Sequence, residues 1–412
     1  MKIKNFLTTA TITSFAALLS IGTSNAAVPH TFTSGTAAVA TEVNENFNNL
    51  DQRIISLETS TPSNTIAVDC ASDSSALKNL ALTPNTTYVL TGMCDGQIEV
   101  GAGLGTINIE GDATGVKDDG ITLPAGETDG DTVFATIYGT DSVKLNLQNL
   151  TISAANYNSE SDLYIGGIGS YRGAHVTLTQ VDVVGGDEGI GAHNTGTASI
   201  NEGVRITNFS RHGINSSRAS VVRVFDTVEI AGDSNSDWDI SEAVVAHQGG
   251  VIDFRNDGDP STMHSIEPAS GPNISIANDN TAAVSAFQNG TIRIVDTDIT
   301  GVLWSGDSSV VDIRDSVQGE GYINPYRNSV MRIRDSQVAN GDSGTLYSGD
   351  FSVLRLDNTT VANTSGTGQI STYRYGVVDL RGTTDLNGRD INCADPRELR
   401  LDGSVLNVGT TC

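Results

Sequence analysis

The chain of 412 residues is 38% hydrophobic, contains 44 glycines and has a formal net charge of −26. Acidity on this scale repels nucleic-acid phosphates and anionic lipid, so neither is an expected partner. It suits a protein kept soluble outside a cell, or one that binds divalent cations.

Lys2 and Lys4 stand ahead of an apolar run from Phe6 to Ile21, followed by the small residues Ser24 and Ala26. That is the layout of a secretory signal over residues 1–26, with cleavage expected after Ala26. Nothing later in the chain approaches the ~18 continuous apolar residues of a membrane helix. A secreted or cell-surface protein with no membrane insertion is therefore expected. Residues 27–64 read as a helical or coiled-coil segment and linker. Within them Val43, Phe47, Leu50, Ile54 and Leu57 keep a four-three spacing, the seam of a short coiled coil. Two readings stand side by side: an amphipathic helix folded on the body, or a stalk that joins copies of the chain into a homo-oligomer through residues 40–58. The stretch from Phe32 to Leu57 resembles a short segment found behind the signal peptide of various exported bacterial proteins.

Residues 65–136 read as an N-terminal cap and the first coils of a solenoid. An amphipathic helical stretch around Leu77 and Leu80 is expected between two strands, with Cys70 and Cys94 placed to clip it. Cys393 and Cys412 fall in a C-terminal cap over residues 393–412. In an oxidising compartment these pairs read as two local disulfides, each worth about 3 kcal/mol. A metal site is the alternative, although CxxC and HxxxH spacings are absent.

From 137 to 392 an eleven-residue block recurs, opening on Ile137, Ile168, Ile190, Ile214, Val244, Val284, Leu303, Ile323, Leu346 and Ile370. Blocks such as IGSYRGAHVTL and INPYRNSVMRI open on an aliphatic residue, turn through Gly, Ser or Asn, and close on alternating apolar positions. That pattern is strand, corner, strand. Continuations such as Asp315-Ser316-Val317 supply a third strand. Blocks follow one another by 19 to 24 residues where no loop is inserted. Coils of that length with three strands point to a parallel solenoid, whereas propeller blades need about 40 residues. The fold class expected is all-β, a right-handed parallel β-helix of about 10 to 12 coils. The strand ending in Asp69-Cys70, the intervening stretch and the strand ending at Gly92-Met93-Cys94 resemble the N-terminal cap of secreted pectate-lyase-like β-helix proteins. This resemblance implies fold more than chemistry, since that superfamily includes lyases, hydrolases, adhesins and phage tailspikes.

Enzymes of that superfamily carry carboxylate and Arg clusters or DD and GHG motifs. GGDEGIGAH, Gly185 to His193, and SRHGIN, Ser210 to Asn215, lie one coil apart and resemble the DD and GHG pair of polygalacturonase-type hydrolases. Asp187, Glu188, Arg211 and His212 are thus the catalytic candidates, although NTD and RIK motifs are absent. The plainer reading is that Gly-rich corners carry Asp and His because these residues tolerate turns. DSNSDWDISE sets Asp233, Asn235, Asp237, Asp239 and Glu242 at alternating positions, the arrangement of a Ca2+ loop. A solvated acidic loop is the alternative.

The fourth and fifth block positions form two columns along the rod. They supply the binding candidates Tyr171, Arg172, His193, Arg218, His247, Tyr326, Arg327, Tyr373 and Arg374. Volumes from Gly to Tyr do not fit a close-packed core column, so the stripe belongs at the surface or a corner, where rings and Arg suit sugars. Stacking of like side chains between coils is the structural alternative. Loops inserted after Leu147, Val224 and Phe254 are expected to wall a groove holding Asp162, Asp187, Glu188, Arg211, His212, Asp237 and His264. No Ser-His-Asp spacing stands out. The function expected is binding of a polysaccharide or cell-surface glycan through one long face, without catalysis. A polysaccharide lyase or glycoside hydrolase around Asp187 and His212, and a stalk-mounted spacer, are the alternatives.

Overall fold

Short runs with period-2 alternation bury one set of side chains only if each run lies over its equivalent in the next coil. The computed structural model has that arrangement; it describes residues 64–112, 117–124, 135–154, 166–234, 241–255, 263–269, 281–319, 321–340, 346–363, 369–393 and 398–408. Every strand pairing among the described residues is parallel, and successive coils supply strands to three stacks. The first includes Thr197–Ile200, Val221–Val224 and Val251–Phe254. The second includes Val204–Phe209, Val228–Gly232 and His264–Glu267. The third runs through twelve strands from Ile98–Val100 to Asp390–Cys393. Two long strands, Lys144–Ala154 and His175–Gly185, pass from the first stack into the second, bending at Asn149 and Gln180 with positive φ of 59° and 53°.

The register of the third stack is that of the sequence repeat. Ile137 pairs with Ile168, then Ile190, Ile214, Val244 and Val284 follow in turn. Leu303, Ile323, Leu346 and Ile370 complete the series, and Ile98 and Ile391 extend it by one coil at each end. All of these residues are buried in one continuous core. At roughly 1.5–3 kcal/mol per fully buried aliphatic side chain, this column is a major source of cohesion along the axis.

Each fifth block position, from Arg172 to Arg374, sits at a corner in the left-handed region, with φ between 45° and 52°. Its side chains reach along the axis: Arg172 pairs with Asp141 at 3.2 Å, Arg327 with Asp307 and Arg374 with Asp350 at 3.4 Å, and Arg218 donates to Asn194 at 3.3 Å. Another corner stacks Asp296, Asp315 and Asp335, again with positive φ. Burial raises the Asp315 carboxyl pKa, and the charges of Asp296 and Asp335 on the adjoining coils raise it further.

Three expectations are corrected here. The capping segment around Leu77 and Leu80 is a series of turns instead of a helix, although Leu77 is buried. Asp69 and Asp73 accept hydrogen bonds from the backbone N–H groups of Ser72 and Ser75, and such local bonds compete with a helical ladder. Leu147 is followed by continuous strand up to Ala154, so the insertion there begins at residue 155. His264 faces the interior and packs edge-on against Phe254 at 5.2 Å, so it belongs to the core and not to a groove.

Cys70 and Cys94 form a disulfide with 5.0 Å between their Cα atoms. Cys393 ends a third-stack strand, whereas its expected partner Cys412, the signal segment and the coiled-coil seam lie outside the described residues. No helix among the described residues is long and apolar enough to cross a membrane.

Two predictions follow from the cap and the acidic corner. Replacing both Cys70 and Cys94 by Ala should lower stability by about 3 kcal/mol, read as a denaturant midpoint difference that disappears under reducing conditions. Because the folded-state pKa of Asp315 is raised, its favourable contribution holds below the ordinary carboxylate range and is lost as pH rises through the folded value. Asp315→Asn should therefore stabilise the protein slightly at pH 7, by about 0.5 kcal/mol or less given its exposure, and not at pH 3, measured by thermal unfolding.

Candidate functional site

Three columns of third-stack side chains face outward. One carries Glu188, His212 and Glu242, which pair in register on consecutive coils. A second carries Gly191, Asn215 and Val245, and the third carries Tyr171, His193, Ser217 and His247. A groove of about 790 Å³ runs over this face, lined among others by Tyr138, Tyr171, His193, Arg211, His212 and Ser217. It adjoins a second hollow of about 360 Å³ that shares Arg211, His212, His247 and Gln248 and continues to Phe287 and Asp307.

The floor is a hydrogen-bonded cluster of acids and imidazoles. Glu188, 1% exposed, accepts from His193 Nε2 at 2.9 Å, and its other oxygen lies 3.9 Å from His212 Nδ1. A carboxylate only accepts, so Nε2 of His193 carries the proton and Nδ1 of the neutral ring is the acceptor. Ser217 Oγ lies 2.7 Å from that Nδ1 and donates to it. On the next coil His212 Nε2 donates to Glu242 Oε2 at 3.2 Å. Gly191 makes the first of these contacts possible, since a Cβ there would stand 2.5 Å from His193 Nε2 and collide with the Glu188 carboxylate.

Electrostatics follow the contacts. Burial pulls the His193 pKa down, but the Glu188 charge and hydrogen bond outweigh it and hold the ring above its ordinary range. Burial pushes the Glu242 carboxyl up, and the bond and charge of His212 outweigh that and hold it below the carboxylate range. His247, half-buried, is lowered by that burial and then by the neighbouring His212 charge.

Of the catalytic candidates, Glu188, Arg211 and His212 converge at the groove. Asp187 does not. It is fully buried, its Oδ1 accepts from Ser210 Oγ at 2.8 Å, and its carbonyl accepts from the N–H groups of Arg211 and His212, so it braces the corner behind the groove. Among the Ca2+ loop candidates, Asn235, Asp237 and Asp239 lie outside the described residues, as does Asp162 of the expected groove. Asp233 ends its strand region with an N–H bond to Phe209, and Glu242 directs its carboxylate at His212. Among the described residues no group of three or more His, Cys, Asp or Glu is arranged to hold a metal ion.

The fourth-position column falls on one face, as the repeat requires. Its rings pack on those of the second column and of neighbouring coils: Tyr138 with Tyr171 at 5.8 Å, Tyr171 with His193 at 5.3 Å, Phe287 with Trp304 and Trp304 with Tyr326 at 5.4 Å, and Tyr347 with Tyr373 at 6.5 Å. The mixture of Gly and Tyr now has a reason. A Cβ at Gly306 would meet the Tyr326 ring and one at Gly349 the Tyr373 ring, so each Gly leaves the space its neighbour's ring fills. Both sequence readings, an outward stripe and a ladder, describe the same side chains.

Ser217 was missed as a partner of His193. No linear motif joins residues 24 apart, and only the column alignment brings them together. The connection lengths point to the same place. Two residues separate Gly185 from Glu188 and two separate Phe209 from His212, while the coils on either side insert longer connections, 155–165 and 233–240.

No protein-family model matches the chain, and neither does any curated protein or solved structure.

The cluster predicts a pH response. His193 is faced by Tyr171 from the preceding strand, Glu188 from its own, Arg218 and His212 from the following one, and His247 beyond. Its raised pKa contributes stability below the ordinary histidine value of 6.5, lost as pH rises through the folded value. Glu188→Gln should remove the effect, and histidine NMR titration should then find His193 below 6.5, where burial alone would leave it.

Proposed function

We propose that the outward face of the third stack binds an extended hydroxylated polymer, a glycan outside the cell, and that the protein is exported to meet it. The observation that supports this reading is the run of half-exposed rings and corner arginines that follows one face from Tyr138 to Tyr373. Rungs repeat at about 4.8 Å, so each coil presents a further ring, guanidinium or amide to the same strand of polymer.

Sugar rings expose apolar C–H faces beside hydroxyls, and aromatic rings with adjacent donors complement both. Arg327 lies over the Tyr326 ring at 5.1 Å, pairing a ring with a charged donor. The Tyr326 hydroxyl pKa is pushed up to about 12 by burial and then by the Asp307 charge, so it remains a neutral donor at physiological pH. Phe351 and Tyr375, 61% and 56% exposed, stack within 7° of parallel at 4.8 Å on adjacent coils. Both have φ above 60°, the corner conformation that Ser142, Thr195, Asn289 and Ser308 share at the same position of other coils.

Glycan-array and calorimetric binding test this. Tyr326→Ala and Tyr373→Ala should each weaken binding by about tenfold, some 1.4 kcal/mol, while leaving the melting temperature within a few degrees. Binding that persists unchanged in both variants would exclude this face.

A further inference from the structure

We propose that Ser217, His193 and Glu188 form a nucleophile, base and positioning acid that hydrolyse an acyl ester in the groove. The chemistry rests on these three residues; only the identity of the ester's carrier, a hydroxylated polymer, rests on the preceding reading.

The geometry is that of an activated hydroxyl. Ser217 Oγ donates to His193 Nδ1 at 2.7 Å, and the opposite nitrogen of the same ring donates to Glu188 at 2.9 Å. A nucleophile within hydrogen-bond reach of a base, which is in turn oriented by a third group, defines this class of site by arrangement and not by sequence order. Here the roles of the two ring nitrogens are exchanged relative to serine proteases, with Nδ1 toward the hydroxyl. Glu188 is 1% exposed and Ser217 3% exposed, so the relay lies in a low-dielectric floor while both Ser217 and His193 line the open groove. A second, independent observation marks the place where a substrate oxygen would sit. Asn215, 5% exposed and lining the same groove, has a buried amide oxygen with no hydrogen-bond partner. Its amide can turn to present Nδ2 to a developing oxyanion, with the Arg211 guanidinium lining the same hollow.

The reaction balances with water alone. Ser217 Oγ attacks the ester carbonyl carbon as its proton moves to His193 Nδ1. The carbon–oxygen bond to the alcohol breaks, and the alcohol leaves with that proton. Water then attacks the acyl-Ser217, giving a proton to Nδ1, and the acid departs as the proton returns to Oγ. The net change is ester plus water to alcohol plus acid. Glu188 touches no reacting atom; it holds the ring and stabilises the imidazolium.

The test uses the signal-free full chain with a fluorophosphonate probe and p-nitrophenyl acetate. Mass spectrometry should locate the adduct on Ser217, and hydrolysis should fall by about a thousandfold in Ser217→Ala, with unchanged circular dichroism. Glu188→Gln should shift the acid limb of the pH–rate profile to lower pH, an effect that a structural role alone would not cause. A wild-type chain that takes no adduct at Ser217 and hydrolyses no ester above buffer, or a Ser217→Ala chain as active as wild type, overturns the proposal. Glycan binding by Ser217→Ala, measured in parallel, separates this outcome from failure of the binding face.

Discussion

The requirement that each inward aliphatic residue lie directly over its counterpart governs everything else in this molecule. A slip of one residue would turn Ile190 outward and bring Gly191 into the core, and every other block would follow. Ile98 through Ile391 keep that alignment across twelve strands, whatever the length of the connection between them. Parallel pairing therefore converts distance along the chain, 22 or 40 residues alike, into one uniform step along the axis.

The same alignment makes the groove chemistry possible. Glu188, His212 and Glu242 come from different coils, yet they stand in one line because their strands share a register. The next columns set His193 beside Ser217, and Gly191 removes the bulk that would keep the lines apart. Removed from water, the Glu188 carboxylate holds the proton on His193 Nε2 more firmly than it would at the surface. The corner arginines, by contrast, reach their partners in solvent at 3.2 to 3.4 Å and add little to the stability of the coil.

How much of this was legible follows from the range of each interaction. The repeat, its three strands and the outward stripe are set by period-2 alternation and block spacing, both local, and were readable directly. The pairing of Cys70 with Cys94 was readable from placement. The capping turns were misread as helix because the bonds from Ser72 and Ser75 to Asp69 and Asp73 outweigh the apolar spacing of Leu77 and Leu80. Asp187 looked catalytic as a neighbour of Glu188, but it faces Ser210 and the corner backbone. Ser217 went unnoticed because its meaning lies only in being one rung from His193. His264 was assigned to the groove from the position of its loop, whereas its strand turns it toward Phe254.

The short links from Gly185 to Glu188 and from Phe209 to His212 have a further consequence. The rod's geometry is indifferent to what is threaded between the second and third stacks, since 155–165 and 233–240 leave the register of their coils undisturbed. The length of these connections is thus free to vary, while the floor of the groove is fixed by the core beneath. The two minimal links stand on adjacent coils, beside the buried acid Glu188 and its neighbour His212. Lengthening either link should leave every rung of the frame that carries it in place.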